Sequence, residues 1–352
     1  MKKTIKIIKF VHLWLGLTCG LLVSISGITG ALYVWQPEII RALDSDLLLV
    51  TDGKLPAENV ILSTANKIVK QHKNPQYMFL PYREQQTISV INKEGITQYY
   101  HPETAELLGA KTKTIIFFED LLNIHRSLGI PIIGKYIVGT SSIVFFLFLL
   151  SSGVFLWWRT YSNKLKKGLY IKWKAKKKRL NYDIHKTVGI LFFIPLSIIA
   201  FTGGYFTYHQ LYKSGFSILD TADITSPKIG ETFTVDMALA ETSSSYYLRA
   251  VYFPTNDSNN FKYRYVNHRE MTSGLRKTKE ITTNENNIIT SFSDHNSDLL
   301  SEKITAQMYV FHLGEIAGFL GRFLIFLCGF VPLILFITGL RFYFSSKKLK
   351  RC

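Results

Sequence analysis

Two histidines of the sequence stand at the same distance from the same dipeptide. His12 is followed 17 residues later by Thr29-Gly30, and His185 is followed 17 residues later by Thr202-Gly203. Identical offsets far apart in a chain indicate an internal repeat. Imidazole is a common metal ligand and a good axial ligand of haem iron. The spacing therefore predicts two equivalent ligand positions, one in each copy.

Two further histidines repeat in the same way. His125 is followed nine residues later by Gly134-Lys135, and His312 is followed nine residues later by Gly321-Arg322. The chain therefore looks like two copies of one unit that run in the same direction. Lys135 and Arg322 could neutralise the propionates of a haem; the alternative is that they reach from a span end to the membrane interface.

The matched pairs predict two bis-histidine sites, one formed by His12 and His185 and the other by His125 and His312. Each pair could hold one flat cofactor, because a bis-histidine haem site needs one ligand from each of two facing helices. The sequence has no Cys-x-x-Cys-His motif, which excludes the usual covalent attachment of c-type haem. The alternative for any single histidine is an amphipathic side chain that anchors a helix end.

Glycine follows three of the four histidines by four residues, as Gly16, Gly189 and Gly129. Residues at i and i+4 share a helix face, so these glycines would leave room for a porphyrin. His312 departs from this pattern, because isoleucine occupies the corresponding position.

His209 breaks the symmetry, because its counterpart in the first copy is Gln36. It could replace His125 or His312 as a ligand, or lie near the edge of a haem on an exit route. The alternative is an interfacial histidine in an aromatic belt of neighbouring tyrosines.

Four uncharged runs would position these histidines. They lie between Lys9 and Glu38, Lys135 and Arg159, Lys186 and Lys213, and Arg322 and Arg341. A membrane span needs about 20 apolar residues, so each run is long enough or nearly so. The composition, with 47% hydrophobic and 19% charged residues, excludes a disordered polycation.

The basic residues predict the orientation of the spans. Segments 1–9, 159–186 and 341–352 together hold 20 Lys and Arg against one acid, Asp183, whereas segments 37–124 and 210–311 carry slightly more acids than bases. By the positive-inside rule both termini and the basic loop are cytoplasmic, and the two larger segments are exported. We expect the basic loop to lie on anionic lipid rather than to bind nucleic acid.

Several of these segments resemble the PepSY-associated transmembrane helix family. They are the histidine-started spans that end in Thr-Gly or Ser-Gly, the Trp157-Trp158-Arg159 end of the second span, and HLGEIAGFLGR before the fourth. Residues 57–72 have the pattern of an amphipathic helix, and the segments YMFL, TISVIN and ITQYYHPETAELLG have that of strands, which is similar to a PepSY module. The second exported segment matches that module poorly.

The fold that follows is an α+β integral membrane protein with a four-helix transmembrane bundle. Two parallel repeats build the bundle, and each carries an exported α+β, PepSY-like insertion. The predicted segments are the N-terminus and first span 1–36, the periplasmic PepSY-like domain 37–114, the interfacial segment and second span 115–158, the cytoplasmic loop 159–186, the third span 187–212, the second periplasmic domain 213–303, the interfacial segment and fourth span 304–344, and the cytoplasmic tail 345–352.

The resemblance implies a multi-pass protein of the cytoplasmic (inner) membrane with two haem b groups. Members of the family include di-haem reductases of ferric siderophores and iron-regulated membrane proteins. It implies an oxidoreductase that passes electrons across the bilayer to a periplasmic ferric siderophore, with a separate donor such as a quinol or a cytoplasmic reductase. Two alternatives stay open: a haem-free, membrane-anchored regulator of an extracytoplasmic peptidase, and a siderophore uptake permease.

Overall fold

The computed structural model describes residues 2–50, 53–221, 228–241, 245–255 and 258–348. The chain forms two compact units. The first, called the membrane unit, contains residues 1–35, 118–212 and 308–352, and the second, called the sheet unit, contains residues 36–117 and 213–307. Part of the predicted cytoplasmic tail, from residue 349 onward, lies outside the described residues.

Helices make up the membrane unit, and the sheet unit contains helices as well as strands. In chain order the described α-helices are α1 Lys2–Val34, α2 Gln36–Leu43, α3 Ser45–Leu48, α4 Glu58–Gln71, α5 Lys113–Ser127, α6 Gly134–Val144, α7 Ser151–Tyr161, α8 Leu165–Leu169, α9 Lys177–Leu191, α10 Phe193–Phe216, α11 Val235–Ala240, α12 Leu300–Ala306, α13 Met308–Leu313 and α14 Gly318–Lys348.

Within the described residues, three helical segments are long and apolar enough to cross a membrane: Lys3–Val34, Gly134–Tyr161 and Glu315–Phe344. A fourth span is formed if α9 and α10 are taken together, although they are bent by 65° at their junction. The chain is therefore a membrane protein with three to four apolar helices and an antiparallel sheet. The second span contains a π-helical turn, Phe145–Leu150, between α6 and α7.

Helices α9 and α10, taken together, are the third span in chain order. The bend between them occurs at Phe192, three residues before Pro195. Proline is tolerated in the first turn of a helix, where its missing N–H has no partner in any case. Pro195 therefore fits the start of α10 and marks the break just before it. Pro332 lies inside α14, which continues through it as one helix.

Glycines allow α1 and α14 to cross closely. A Cβ atom added to Gly27 would collide with the carbonyl oxygen of Gly329, and one added to Gly329 would collide with that of Gly27. Lipid tails are as apolar as leucine, so close backbone packing drives helix association in a membrane. This reciprocal glycine contact therefore fixes where α1 and α14 cross.

Helix α9 begins at Lys177, inside the segment predicted as the basic loop. Asp183 is fully buried and pairs with Arg179, four residues earlier, at 3.1 Å. The ammonium of Lys186 lies 3.4 Å from the same carboxylate and donates to the carbonyl oxygens of Lys167, Gly168 and Tyr170. Pairs at i and i+4 stabilise a helix. The pairing of Asp183 therefore supports the part of α9 that precedes the apolar run of the third span.

The sheet unit contains one eight-stranded antiparallel sheet in the order β4-β3-β2-β1-β5-β6-β7-β8. The strands are β1 Pro75–Phe79, β2 Ile88–Asn92, β3 Thr97–Tyr100, β4 Leu107–Ala110, β5 Tyr247–Tyr252, β6 Phe261–Val266, β7 Thr278–Thr283 and β8 Ile289–Asp294. In each insertion a helix, α4 or α11, directly precedes four strands. The two sets meet where β1 pairs with β5, Tyr77 opposite Tyr252.

One face of the sheet packs on α4 and α11. Alternate strand residues point to opposite faces, and Met78, Leu248 and Tyr263 are fully buried together with Ile61 and Ile68 of α4. This face forms one continuous core from both insertions. Burial of such side chains stabilises the unit by about 1.5 to 3 kcal/mol each.

A buried ion pair joins the two insertions of the sheet unit. The guanidinium of Arg269 binds both carboxylate oxygens of Glu58, at 2.9 and 2.6 Å, and also donates to the carbonyl oxygens of Pro81 and Leu248. The Arg269 side chain is 7% exposed. Breaking a buried pair leaves an uncompensated charge, which is more costly than losing an exposed pair.

Replacing Arg269 by alanine is expected to lower the free energy of unfolding of the sheet unit by about 3 to 5 kcal/mol, because Glu58 would lose its partner. Pulse proteolysis of the full chain in urea and detergent would measure it. Lys213→Ala is the matched control, since its pair with Glu302 is exposed, and should cost about 1 kcal/mol or less. Equal effects of the two variants would contradict the assignment.

Candidate functional site

His12 of α1 and His185 of α9 face each other inside the membrane unit. Their ring centroids are 6.3 Å apart and the ring planes differ by 80°. Both side chains are half-buried. The structure therefore brings together the first of the two histidine pairs that the sequence predicts.

A hydroxyl group binds the Nδ1 atom of each ring in this pair. His12 Nδ1 lies 2.7 Å from the Ser152 hydroxyl, and His185 Nδ1 lies 2.7 Å from the Thr338 hydroxyl. Both hydroxyls donate to carbonyl oxygens of the preceding turn of their own helices. Each hydroxyl oxygen is then left to accept from the ring. Nδ1 therefore carries the proton, and Nε2 keeps a free lone pair.

His125 of α5 and His312 of α13 form the second pair. Their ring centroids are 6.1 Å apart and the ring planes differ by 59°. His312 Nδ1 lies 2.8 Å from the Thr202 hydroxyl, which donates to its own helix. His125 Nδ1 lies 2.7 Å from the carbonyl oxygen of Ser26, which can only accept. The same tautomer follows, with Nε2 free in both rings.

His125 and His312 lie outside the four spans. Burial lowers the pKa of both imidazoles below the usual value for histidine, so both rings are neutral at pH 7. A neutral imidazole with a free Nε2 is the form that binds a metal.

The Thr-Gly and Ser-Gly dipeptides at the ends of the spans contact the histidines. Ser152, Thr338 and Thr202 supply the hydroxyls, and the glycine after three such residues lies against an imidazole. A Cβ atom on Gly153 or Gly203 would lie 3.4 or 3.5 Å from a ring carbon, and one on Gly30 would lie 2.8 Å from His125 Cε1. The dipeptide thus provides an oxygen for Nδ1 and space for the ring.

These contacts run between helices of the same predicted copy. The histidine that begins the first span binds a residue of the second span, and the histidine before the second span binds the first. The helices of the second predicted copy make the same exchange. The matched offsets in the sequence did not reveal that each histidine binds a residue of the other span.

The spacing of both pairs suits one metal ion between two imidazoles. A metal bonded to one nitrogen of each ring at about 2 Å separates the ring centroids by about 6 Å. The measured values are 6.3 and 6.1 Å. Among the described residues no cluster of three or more His, Cys, Asp or Glu side chains could hold a metal, whereas a bis-histidine haem needs only two protein ligands.

A cavity of about 700 Å³ adjoins the first pair and is lined by His12 and His185. Gly16 and Gly189, each four residues after its histidine, line it too, and a Cβ on either would be 3.7 Å from a leucine. The volume falls within the range of cofactor sites. Lys9, Arg159 and Lys186 also line the cavity, and the sequence did not single out these cations.

The prediction that Gly129 shares a helix face with His125 is wrong. Helix α5 ends at Ser127, and Gly129 has φ +70°, in the turn beyond it. The corresponding turn after His312 contains Gly314, with φ +73°. A left-handed residue therefore ends the helix shortly after each histidine of the second pair. The next glycines of the repeat, Gly134 and Gly321, pack against the carbonyl oxygens of Ser127 and Gly314.

The remaining predicted site residues have other surroundings. Arg322 is buried, donates to the carbonyl oxygen of Val34 and lies 4.9 Å from the ring centre of Trp35. Lys135 is exposed and lies 4.9 Å from the ring centre of Tyr136. His209 is exposed, one residue after a break in helical geometry at Tyr208.

The chain matches a known protein family over most of its length. The family described as PepSY-associated TM region matches residues 10–346, nearly the whole chain. This match confirms the resemblance found in the sequence. No curated protein matches the chain.

Proposed function

The chain belongs to the PepSY-associated TM region family, and from that premise we propose that it is a di-haem electron-transfer protein that reduces periplasmic ferric siderophores. The observation that carries the proposal is the pair of facing imidazoles at 6.3 and 6.1 Å, each with Nδ1 bonded to oxygen. His12 and His185 would hold one haem b, and His125 and His312 the other. Bound haem iron supplies one-electron transfer between Fe(II) and Fe(III).

The two pairs would lie near opposite sides of the bilayer. His12 and Ser26, which contacts His125, belong to the same helix and are 14 residues apart. This separation corresponds to about 21 Å along the helix axis, a large part of the roughly 30 Å hydrocarbon thickness. The four histidines would therefore support electron transfer in two steps across the membrane.

The residues around each pair would hold the cofactors and exclude water. The hydroxyls of Ser152, Thr338 and Thr202 and the Ser26 carbonyl would orient the ligands and fix the tautomer, as outer-sphere partners do in metal sites. Lys9 and Arg159 line the cavity of the first pair and would bind haem propionates there. Lys135 and Arg322 would bind the propionates of the haem at the second pair, as the sequence predicts.

The proposed orientation places both termini and residues 159–186 in the cytoplasm and both insertions in the periplasm of a cytoplasmic (inner) membrane protein. The charge distribution supports it. The arrangement would come from two parallel repeats. The helix-plus-four-strands order of both insertions and the exchange of histidine contacts within each copy support the repeat.

The proposed reaction passes one electron from a separate donor, a quinol or a cytoplasmic reductase, to Fe(III) in a siderophore. Fe(II) binds the hard oxygen ligands of the siderophore more weakly, and the iron is released. A siderophore permease is the second candidate, because a bent span such as α9 with α10 is typical of transporters. A haem-free regulator would have no use for two facing histidine pairs.

Changing a single ligand should remove one haem. We expect His12→Ala, His185→Ala, His125→Ala and His312→Ala each to reduce two haems per chain to one, because each site would lose half of its ligands. Pyridine haemochrome absorbance per chain would measure this. His209→Ala is the control and should retain both haems. A colourless wild-type protein from haem-replete cells would favour the permease or the regulator.

Removing the Thr202 hydroxyl should weaken the second site without abolishing it. Thr202→Val leaves His312 Nδ1–H without its hydroxyl acceptor, so we expect haem affinity to fall about tenfold and the reduction potential of that haem to rise. Thr29→Val is the matched control. The Thr29 hydroxyl is 3.5 Å from His125 Nδ1, whose closer acceptor is the Ser26 carbonyl. Equal changes in a potentiometric titration of both variants would contradict this role.

A further inference from the structure

The face of the central sheet opposite the helices carries aromatic and basic side chains. Tyr77, Phe79 and Tyr252 alternate with the core residues and contact one another, with ring centroids 5.4 to 6.3 Å apart. Arg264 donates to the Tyr252 hydroxyl at 3.1 Å. This face of the sheet unit is therefore both aromatic and cationic.

Three more arginines, Arg83, Arg249 and Arg276, lie around the ring of Tyr82 at one end of the same region. The guanidinium carbon of Arg249 is 4.2 Å from the ring centre, and that of Arg276 is 5.8 Å away. Arg249 belongs to β5, and Arg249, Arg276 and Tyr82 are all partly buried but not enclosed. The two guanidinium groups and the ring therefore share one partly exposed site.

The charge of Arg249 is not compensated by a described acid. Arg264 and Lys262 share Glu280, at 2.7 and 3.5 Å. Arg249, in contrast, makes no ion pair with any carboxylate in the part of the chain that the structure describes. Burial and the nearby Arg276 and Arg264 lower the pKa of Arg249. A guanidinium held beside like charges is costly unless an anion joins it.

We propose that Arg249 and Arg276, beside the ring of Tyr82, bind an organic anion that carries carboxylate groups. A guanidinium group matches a carboxylate with two parallel hydrogen bonds. The surrounding aromatic rings favour an organic body over an inorganic ion. The inference rests on the proposed function in one respect: the anion would be the substrate chelate, so the protein would select negatively charged ferric complexes.

The test measures binding to the purified full chain at low ionic strength by thermophoresis, with ferric citrate, a neutral ferric trihydroxamate and inorganic phosphate as probes. The wild type should bind ferric citrate about tenfold or more tightly than the other two, as expected for charged hydrogen bonds. Arg249→Ala should lose about tenfold or more in affinity for ferric citrate, and Arg249→Lys should recover part of it. Binding should weaken as salt is added.

Lys277→Ala is the matched control. It removes an exposed positive charge next to Arg276 and should leave the affinity for ferric citrate within about twofold. If Arg249→Ala unfolds, the affinity of Arg276→Ala for ferric citrate and the salt dependence of binding by the wild type still test the proposal. Equal affinities for citrate and trihydroxamate, equal competition by phosphate, or an unchanged Arg249→Ala variant would overturn the proposal.

Haem content separates this inference from the proposed function. Two haems per chain without a preference for the anionic chelate would leave the di-haem function in place and remove the anion site. Selective citrate binding by a protein without haem would support the site and remove the electron-transfer function.

Discussion

The hydrogen bond from each histidine Nδ1–H to an oxygen on a neighbouring helix is the interaction on which the membrane unit depends. A polar group without a partner is costly at membrane depth. Each imidazole therefore has to meet an oxygen of another helix, and the four bonds fix the heights of these helices relative to one another. The same bonds engage Nδ1 of each ring and leave Nε2 with the lone pair, so the contacts that position the helices also set the tautomer of the histidines.

The two halves of the sheet unit are distant in sequence, so contacts between them have to hold the unit together. Four strands of the first insertion and four of the second would each leave an edge exposed. Pairing of β1 with β5 removes both inner edges, and helices α4 and α11 bury one shared core. The ion pair of Arg269 with Glu58 also joins the two halves of the sheet unit. The insertions consequently fold as one unit, although the second span, the basic loop and the third span separate them in the chain.

Much of this arrangement could be predicted from the sequence, because the relevant signals are periodic. Uncharged runs located the apolar helices, and the family resemblance is confirmed by the match over residues 10–346. Matched offsets grouped His12 with His185 and His125 with His312, and these rings do face each other. The role of haem stays a prediction.

Other features could not be predicted, because they depend on contacts between distant segments. Gly129 was predicted to lie on the helix of His125, but α5 ends at Ser127. Helix α9 begins early because Asp183 is buried against Arg179 and Lys186. The second insertion did not resemble a PepSY module in sequence, yet it has the same order of one helix and four strands. Propensity alone contains none of this information.

The distribution of charge matches the different roles proposed for the two units. In the membrane unit the proposed haem ligands are imidazoles held by hydroxyls and carbonyls, which need no counter-ion in a medium where an isolated charge is costly. The proposed anion site of the sheet unit uses guanidinium groups instead. Arg249 and Arg276 are partly exposed, and a bound anion would offset the remaining cost of their charges. We therefore assign the proposed selection of a charged substrate to the sheet unit.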